Sequence, residues 1–278
     1  MDISAELVRD LREATNLGMM ECKKALVEAG GDKEKAVRLL RERGMAIAQK
    51  KSSRATNQGL LASVVKPDGR TGSLVEVNCE TDFVARNSGF VAFVGDLAAK
   101  ACDTDRSLAD SEKDRLVAKV AEIGENLVVR RNLRYVLACT GTVASYIHLG
   151  GKIGVLVEAA CGKPESVGSG VFKEAVKDIC MHIAASSPMH LDRTAVPKDV
   201  LAAEREIYAK QITNKPANIV EKIVDGKIKK FISDNCLVAQ PFVKDPKITV
   251  TDYLNARGRE IGDTITIRRF ARWQLGQG

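Results

Sequence analysis

Apolar positions recur at helical spacing over the first fifty residues, then switch to strand-like runs bounded by glycine turns. Ile3, Leu7, Val8 and Leu11 mark one face of a helix that ends before Thr15-Asn16-Leu17-Gly18. A second helix is predicted over 21–29 and stops at Gly30-Gly31. Asp32 then stands at an N-cap position, and Ala36, Val37, Leu39 and Leu40 predict a third helix closed by Gly44. The basic stretch 49–54 lacks apolar periodicity and reads as a linker. Strands are predicted over 60–65, 74–79, 143–149 and 153–160, each pair separated by a glycine-containing turn, with helices over 90–101 and 172–185. A helix over 112–123 precedes a strand over 127–131 that reads as entering the second unit. Helices over 198–212 and 217–232, parted by Thr213-Asn214-Lys215-Pro216, suit an antiparallel hairpin. A last strand over 265–270 is placed to rejoin the preceding core, which makes the hairpin an insertion.

The strand pairs repeat one another. Residues 59–76 (GLLASVVKPDGRTGSLVE) align without gaps on residues 141–158 (GTVASYIHLGGKIGVLVE) at an offset of 82. Gly59, Ala62, Ser63, Gly69, Gly72, Leu74, Val75 and Glu76 are identical to their counterparts. The offset persists at Phe90/Phe172 and Asp96/Asp178. The fold class expected is therefore α+β, with a duplicated hairpin-and-helix core whose sheets are covered on one face. The units are 1–54 (helices and linker), 55–140 (first copy), 141–187 with 236–278 (second copy) and 188–235 (inserted hairpin).

A net charge of +7 favours an anionic partner, either an acidic protein surface or nucleic acid. Aromatics make up only 4%, which argues against base stacking. The seven cysteines form no C-x-x-C and read as reduced residues of a cytoplasmic protein. With no long apolar run, a soluble chain that neither spans a membrane nor is exported is expected. His148, His182 and His190 have no ligand neighbours at metal spacing, and His182 reads as a packed core histidine. Gly150-Gly151-Lys152 is followed by Ile153 rather than Ser or Thr, so it reads as a hairpin turn and not a phosphate loop. No nucleophile context is visible, and covalent catalysis is not expected.

Two segments exceed what folding asks for. Leu17-Gly18-Met19-Met20 puts large apolar side chains at a turn; its plainer reading is core packing, its rival a mouldable protein contact. In the segment 81–87, Thr81 or Asp82 could simply cap a short helical turn with Phe83 and Val84 pointing inward. The second copy has Lys163-Pro164-Glu165-Ser166-Val167-Gly168-Ser169 there, with no Asp and no aromatic. An acid beside an aromatic on a turn leaving a strand makes a wedge into another protein.

The stretches LREATNLGMMECKKAL (11–26) and EVNCETDFVARN (76–87) resemble the elongation factor Ts family, guanine-nucleotide exchange factors for elongation factor Tu. Ile123-Gly124-Glu125-Asn126, Arg130-Arg131, Gly154-Val155-Leu156-Val157 and Gln240-Pro241-Phe242-Val243 support the resemblance. It implies a small ubiquitin-associated-like (UBA-like) helical domain, two related core subdomains and an inserted helical hairpin. Carried over by position, Asp82 and Phe83 become the pair reaching the partner's magnesium and nucleotide site, within a contact segment that includes Thr81, Val84, Arg86 and Asn87. Arg12, Met19, Met20 and Lys51 become N-terminal contacts, and His148 a contact of the second subdomain, although Ile147 precedes it where some relatives are polar. The resemblance implies elongation factor Tu, GDP-bound and nucleotide-free, as partner, with no cofactor, metal, membrane or specific nucleic acid. Some members continue into a C-terminal helix that grips the partner; this chain stops at Gly278, so that contact is expected to be missing or replaced. The competing reading is a basic RNA- or ribosome-binding accessory protein, and whether the chain is a monomer or a homodimer is left open.

Overall fold

The computed structural model describes residues 3–212 and 215–277. Helices α1 (Ala5–Thr15), α2 (Met19–Glu28) and α3 (Lys33–Lys51) bury Val8, Leu11, Cys22, Ala25, Leu26, Ala36 and Leu40 between them. Ser4 caps α1 through the Leu7 N–H at 3.2 Å, and Asp32 caps α3 through Lys35 N at 3.0 Å. Contrary to expectation, α3 does not stop at Gly44. There it crosses α7 (Lys113–Ile123), and a Cβ on Gly44 would lie 3.4 Å from Ala121 Cβ, so the glycine serves helix contact and not termination. Gln49, Lys50 and Lys51 thus belong to the last turn of α3, where positive charge suits the helix C-terminus.

Two three-stranded antiparallel sheets follow. The first has the order β1 (Gln58–Val65), β2 (Thr71–Cys79), β3 (Leu127–Val136). The second has the order β4 (Gly141–His148), β5 (Ile153–Cys161), β8 (Ile265–Gln274). Residues 127–131, expected to lead into the second unit, instead pair along β2 and complete the first sheet. The final strand pairs with β5, as anticipated for a strand rejoining the core. The registers coincide at the offset of 82: Gly59 faces Asn78 and Gly141 faces Ala160, while a bulge falls at Glu76/Val77 and again at Glu158/Ala159. Helix α5 (Ser88–Ala101) covers the outer face of β1 and β2, and α8 (Gly170–Ser186) that of β4 and β5.

The inner faces are not left to solvent. All nine residues of β2 are buried, because the two sheets pack on each other as well as on their helices. Their contacts are reciprocal. Leu61 N donates to Gly151 O (2.8 Å) and Val143 N to Gly69 O (2.7 Å), while the Ser63 and Ser145 hydroxyls meet at 2.9 Å. A Cβ on Gly72 would lie 2.6 Å from Val143 Cγ1, and one on Gly154 would lie 2.7 Å from Leu74 Cδ1. Buried Glu76 accepts from Arg131 Nε at 2.8 Å, and that guanidinium lies over Trp273 of the other sheet. Buried Glu158 accepts from Arg269 Nε at 2.6 Å, and that guanidinium lies over Tyr135.

Between α8 and β8 the chain leaves as α9 (Lys198–Lys210) and returns as α10 (Ala217–Asn235), bridged by Arg205 and Asp225 at 2.7 Å. Of the expected turn, Thr213 and Asn214 lie outside the described residues. Exit and re-entry are adjacent, with Met189 N donating to Asn235 O and Leu237 N to His190 O. Unanticipated elements include α6 (Leu108–Ser111), β6 (Pro241–Phe242), β7 (Asp245–Thr249) and α11 (Val250–Glu260), the last opened by a Thr249/Asp252 capping box. His182 is a core residue. Val243 N donates to its Nδ1 (3.2 Å), so Nε2–H donates to Gln240 Oε1 (2.9 Å), and burial lowers its pKa.

Two outcomes follow for stability. A Cβ on Gly141, whose φ is 157°, would sit 2.0 Å from the Ala159 carbonyl oxygen, so Gly141→Ala is expected to cost about 3 kcal/mol or more. Gly95→Ala, in the open on α5, is expected to stabilise by about 0.5–1 kcal/mol; urea titration of both variants is the check. Because His182 resists protonation in the fold, the unfolded chain takes up its proton first. Wild-type stability relative to His182→Asn is therefore expected to be level at alkaline pH and to fall as pH drops through about 6.5, read from urea midpoints across that range.

Candidate partner-binding surface

Strand β2 ends at Cys79, and the chain turns into a single helical turn, α4 (Asp82–Ala85). Thr81 caps it, its Oγ1 accepting from Val84 N at 3.3 Å, and Asn87 caps α5 by accepting from Gly89 N and Phe90 N. The capping part of the plainer sequence reading is therefore present. Its inward Phe is not: Val84 and Ala85 pack on the first sheet's core, but Phe83 is 82% exposed, more than any other large apolar side chain among the described residues. Beside it the Asp82 carboxylate pairs with Arg86, one helical turn on, at 3.0 Å.

The turn is held from two directions. Glu125, just past the α7 C-cap Gly124, accepts from Glu80 N (3.1 Å), Thr81 N (3.0 Å) and Thr81 Oγ1 (2.6 Å). In return, Glu80 accepts from Asn126 N at 2.6 Å, a bond that holds its carboxyl below the usual carboxylate range. Asn126 Nδ2 donates onward to Arg54 O (2.9 Å) and Ser52 O (3.4 Å), just beyond α3. Beneath the turn, burial and then the Glu125 carboxylate push the Cys79 thiol up to about 11, and it donates to Thr81 O at 3.1 Å.

The second sheet carries an equivalent turn, the 3-10 segment Pro164–Gly168. Asp263 plays the part of Glu125 there, accepting from Gly162 N (3.0 Å) and Lys163 N (2.9 Å). The Ser166 hydroxyl, helped by the Thr264, Lys163 and Gly162 N–H groups, holds Asp263 down at about 2. Ser169 caps α8 as Asn87 caps α5. Glu165 occupies the position of Phe83, and Gly162 that of Glu80; the return bond to the clasping loop comes instead from Lys163, whose Nζ donates to the Gly262 carbonyl at 2.8 Å.

The remaining sequence candidates divide. His148 is exposed at the β4–β5 hairpin tip, stacked on Tyr146, whose hydroxyl meets its Nδ1 at 3.0 Å; Leu149 beside it is 67% exposed at φ 49°. Lys152 of that tip donates to Gln58 Oε1 at 3.1 Å, and Gln58 pairs with Cys79, so the tip and the Thr81–Asn87 turn share one end of the molecule. Lys51 is half-buried and donates to Gly124 O, tying α3 to the clasping loop. Arg12 is exposed, and Met19 and Met20, the first residues of α2, are 55% and 62% exposed, so their core-packing reading does not hold; Leu17 alone of that group packs inward. Met20 borders a shallow depression with Lys23, Lys24, Val27 and Arg43, the last about two turns before Lys51 on α3. Glu80, Glu125 and Leu149 were not singled out from sequence. The Gly124-Glu125 pair after a helix was the available signal, a left-handed helix end followed by an acid.

No helix among the described residues is long and apolar enough to cross a membrane. A family model for Elongation factor TS matches residues 80–277. The chain is similar to Elongation factor Ts of Clostridium kluyveri (43% identity; 99% of this chain, 94% of the relative). It is also similar to Elongation factor Ts of Nitratiruptor sp. (43%; 100% and 94%) and of Nitratidesulfovibrio vulgaris (42%; 100% and 97%). With near-complete coverage at this identity, and with the turn at residues 81–87 lying inside the matched region, the chain belongs to the elongation factor Ts family.

Proposed function

We propose that this chain is a guanine-nucleotide exchange factor that binds elongation factor Tu, weakens its hold on magnesium and GDP, and so lets GTP enter during translation elongation. The carrying observation is Phe83, almost fully exposed on a turn that is otherwise capped, clasped and packed. Such a factor performs no covalent chemistry; its work is a coupling free energy. If it binds the empty partner more tightly than the GDP-bound one, it weakens GDP by the same factor, and a thousandfold ratio corresponds to about 4 kcal/mol. Burying a Phe side chain supplies roughly 1.5–3 kcal/mol, and the Asp82 carboxylate adds a charge able to disturb a cation site. These two residues provide the term that differs between the two states of the partner, with Thr81, Val84, Arg86 and Asn87 shaping their turn. Arg12, Met19, Met20, Lys51 and His148 provide contacts common to both states, which raise affinity without driving exchange.

The division into units supports this reading. The reciprocal sheet contacts favour two related subdomains, 55–140 and 141–187 with 236–278, each able to present a turn and a hairpin tip. Residues 1–54 form the UBA-like unit with its connection, and 188–235 the insertion. The RNA-binding alternative has less free positive charge to draw on, because three of the five arginines between 257 and 272 are occupied: Arg257 by Glu174 and Glu260, Arg269 by Glu158, Arg272 by the Ala184 carbonyl.

The test is release of a fluorescent GDP from purified elongation factor Tu. Phe83→Ala is expected to lower the maximal stimulated rate about tenfold, equivalent to about 1.4 kcal/mol, with the half-saturating concentration within about twofold. Met20→Ala is expected to raise the half-saturating concentration about five- to tenfold while keeping the maximal rate. Wild-type release by the Asp82→Ala/Phe83→Ala double variant would sink the assignment.

A further inference from the structure

The two equivalent turns differ in how they are restrained, and the difference falls on the turn that carries Phe83. Both are gripped by a carboxylate reaching in from a later segment: Glu125 accepts two N–H groups in the first sheet, and Asp263 accepts the two matching N–H groups in the second. That shared grip is what the fold requires. Each turn answers it, the second through Lys163 Nζ, which donates to the Gly262 carbonyl at 2.8 Å, and the first through an acid. Glu80 reaches back to the Asn126 N–H at 2.6 Å, so adjacent residues exchange side-chain-to-backbone bonds in both directions. Asn126, almost fully buried, then fixes the carbonyls of Arg54 and Ser52 beyond the end of α3, and Arg54 meets Glu80 at 3.4 Å. At the position of Glu80 the second copy has Gly162, which cannot make such a bond. The second turn forms without an acid at this position, so the link from Glu80 through Asn126 to the end of α3 is not what forms the turn.

We propose that Glu80 is a positioning residue for exchange: through Asn126 it fixes the direction in which the Asp82–Phe83 turn points relative to the N-terminal helices. The inference rests on the exchange reading above. A four-residue helical turn is too short to be rigid by itself, and an aromatic that swivels would spend its contact energy on being ordered when it docks. Braced to the strand that follows α7 and to the segment that follows α3, Phe83 enters the partner in one orientation while the N-terminal contacts engage. The brace acts on the docked geometry and not on whether docking occurs, so it belongs to the maximal rate rather than to affinity.

The test uses the full chain, fluorescent GDP release from elongation factor Tu across factor concentrations, and thermal melting of each variant. Glu80→Ala is expected to lower the maximal rate about five- to tenfold, with the half-saturating concentration within about twofold. Glu80→Gln, which keeps an oxygen for the Asn126 N–H, is expected to restore most of that rate. In a Phe83→Ala background, Glu80→Ala is expected to cause no further loss, because the residue it positions is gone. Wild-type release by Glu80→Ala overturns the proposal. So does an undiminished loss in the Phe83→Ala background, or a loss carried wholly by a raised half-saturating concentration in step with a lowered melting point. Phe83→Ala alone tests the underlying reading separately: if it releases GDP at the wild-type rate, that reading falls, whatever Glu80→Ala does.

Discussion

Neither three-stranded sheet could leave its inner face wet and remain well packed, because the central strand of each puts a large leucine, Leu74 or Leu156, on the face that its helix does not cover. The chain meets this constraint by pressing the two inner faces together. Gly72 and Gly154 set the spacing, since a Cβ at either would intrude on Val143 or Leu74. At such a distance the glutamates that follow, Glu76 and Glu158, lose nearly all solvent, and a buried carboxylate without a partner would cost several kcal/mol. Each is matched by an arginine from the neighbouring strand, and each arginine is roofed by an aromatic of the opposite sheet, Arg131 by Trp273 and Arg269 by Tyr135. The ion pairs stay within their own sheets and the stacking crosses the interface once in each direction, so the two sheets hold one mutual orientation.

That orientation decides where the candidate surface can lie. Because the sheets meet with Ser63 against Ser145, the β4–β5 hairpin tip comes to the end of β1, and Lys152 reaches Gln58 beside Cys79. His148, Leu149 and the Thr81–Asn87 turn thus occupy one end of the molecule although more than sixty residues separate them in sequence. The helical unit is joined to the same end through the Lys51–Gly124 and Asn126–Arg54 bonds. A protein partner meeting this end encounters surface contributed by both sheets and by the loop that ties α3 to them.

Much of this was legible in the sequence, and the failures have physical causes. The hairpins announced themselves through glycine turns and apolar runs, and the offset of 82 reappears residue for residue in the strand registers. Gly44 misled because local rules make glycine a helix terminator, whereas here the helix runs on through Gly44 and packs against α7. The 127–131 segment was read forward into the second unit because strand pairing is a long-range property that composition does not encode. The strands β6 and β7 are too short for a period to show, and α11 was overlooked where the capping box at Thr249/Asp252 marked its start. Phe83 was singled out by comparison with the second copy and not by any rule for exposure. Glu80 and Glu125 escaped because their bonds join segments more than forty residues apart, and an acid that accepts a backbone N–H looks in sequence like any solvated acid.

The comparison between copies also has to be restated in physical terms. The contrast visible in sequence was that the second copy lacks Asp and Phe, from which it followed that capping and burial could not be the whole story. The structure shows that the second copy caps and clasps its turn as fully as the first, with Ser169 and Asp263 in place of Asn87 and Glu125. Capping therefore does not distinguish the turns; what distinguishes them is where side chains are directed once the backbone is satisfied. In the second copy Pro164 and Glu165 leave a polar, solvated bend. In the first, Phe83 stands in water with nothing among the described residues to cover it, at a hydration cost that folding alone gives no reason to accept. A fold that makes the same bend twice and leaves a large aromatic exposed on only one of them has separated what the bend requires from what it displays, and the exchange role proposed for Phe83 rests on that separation.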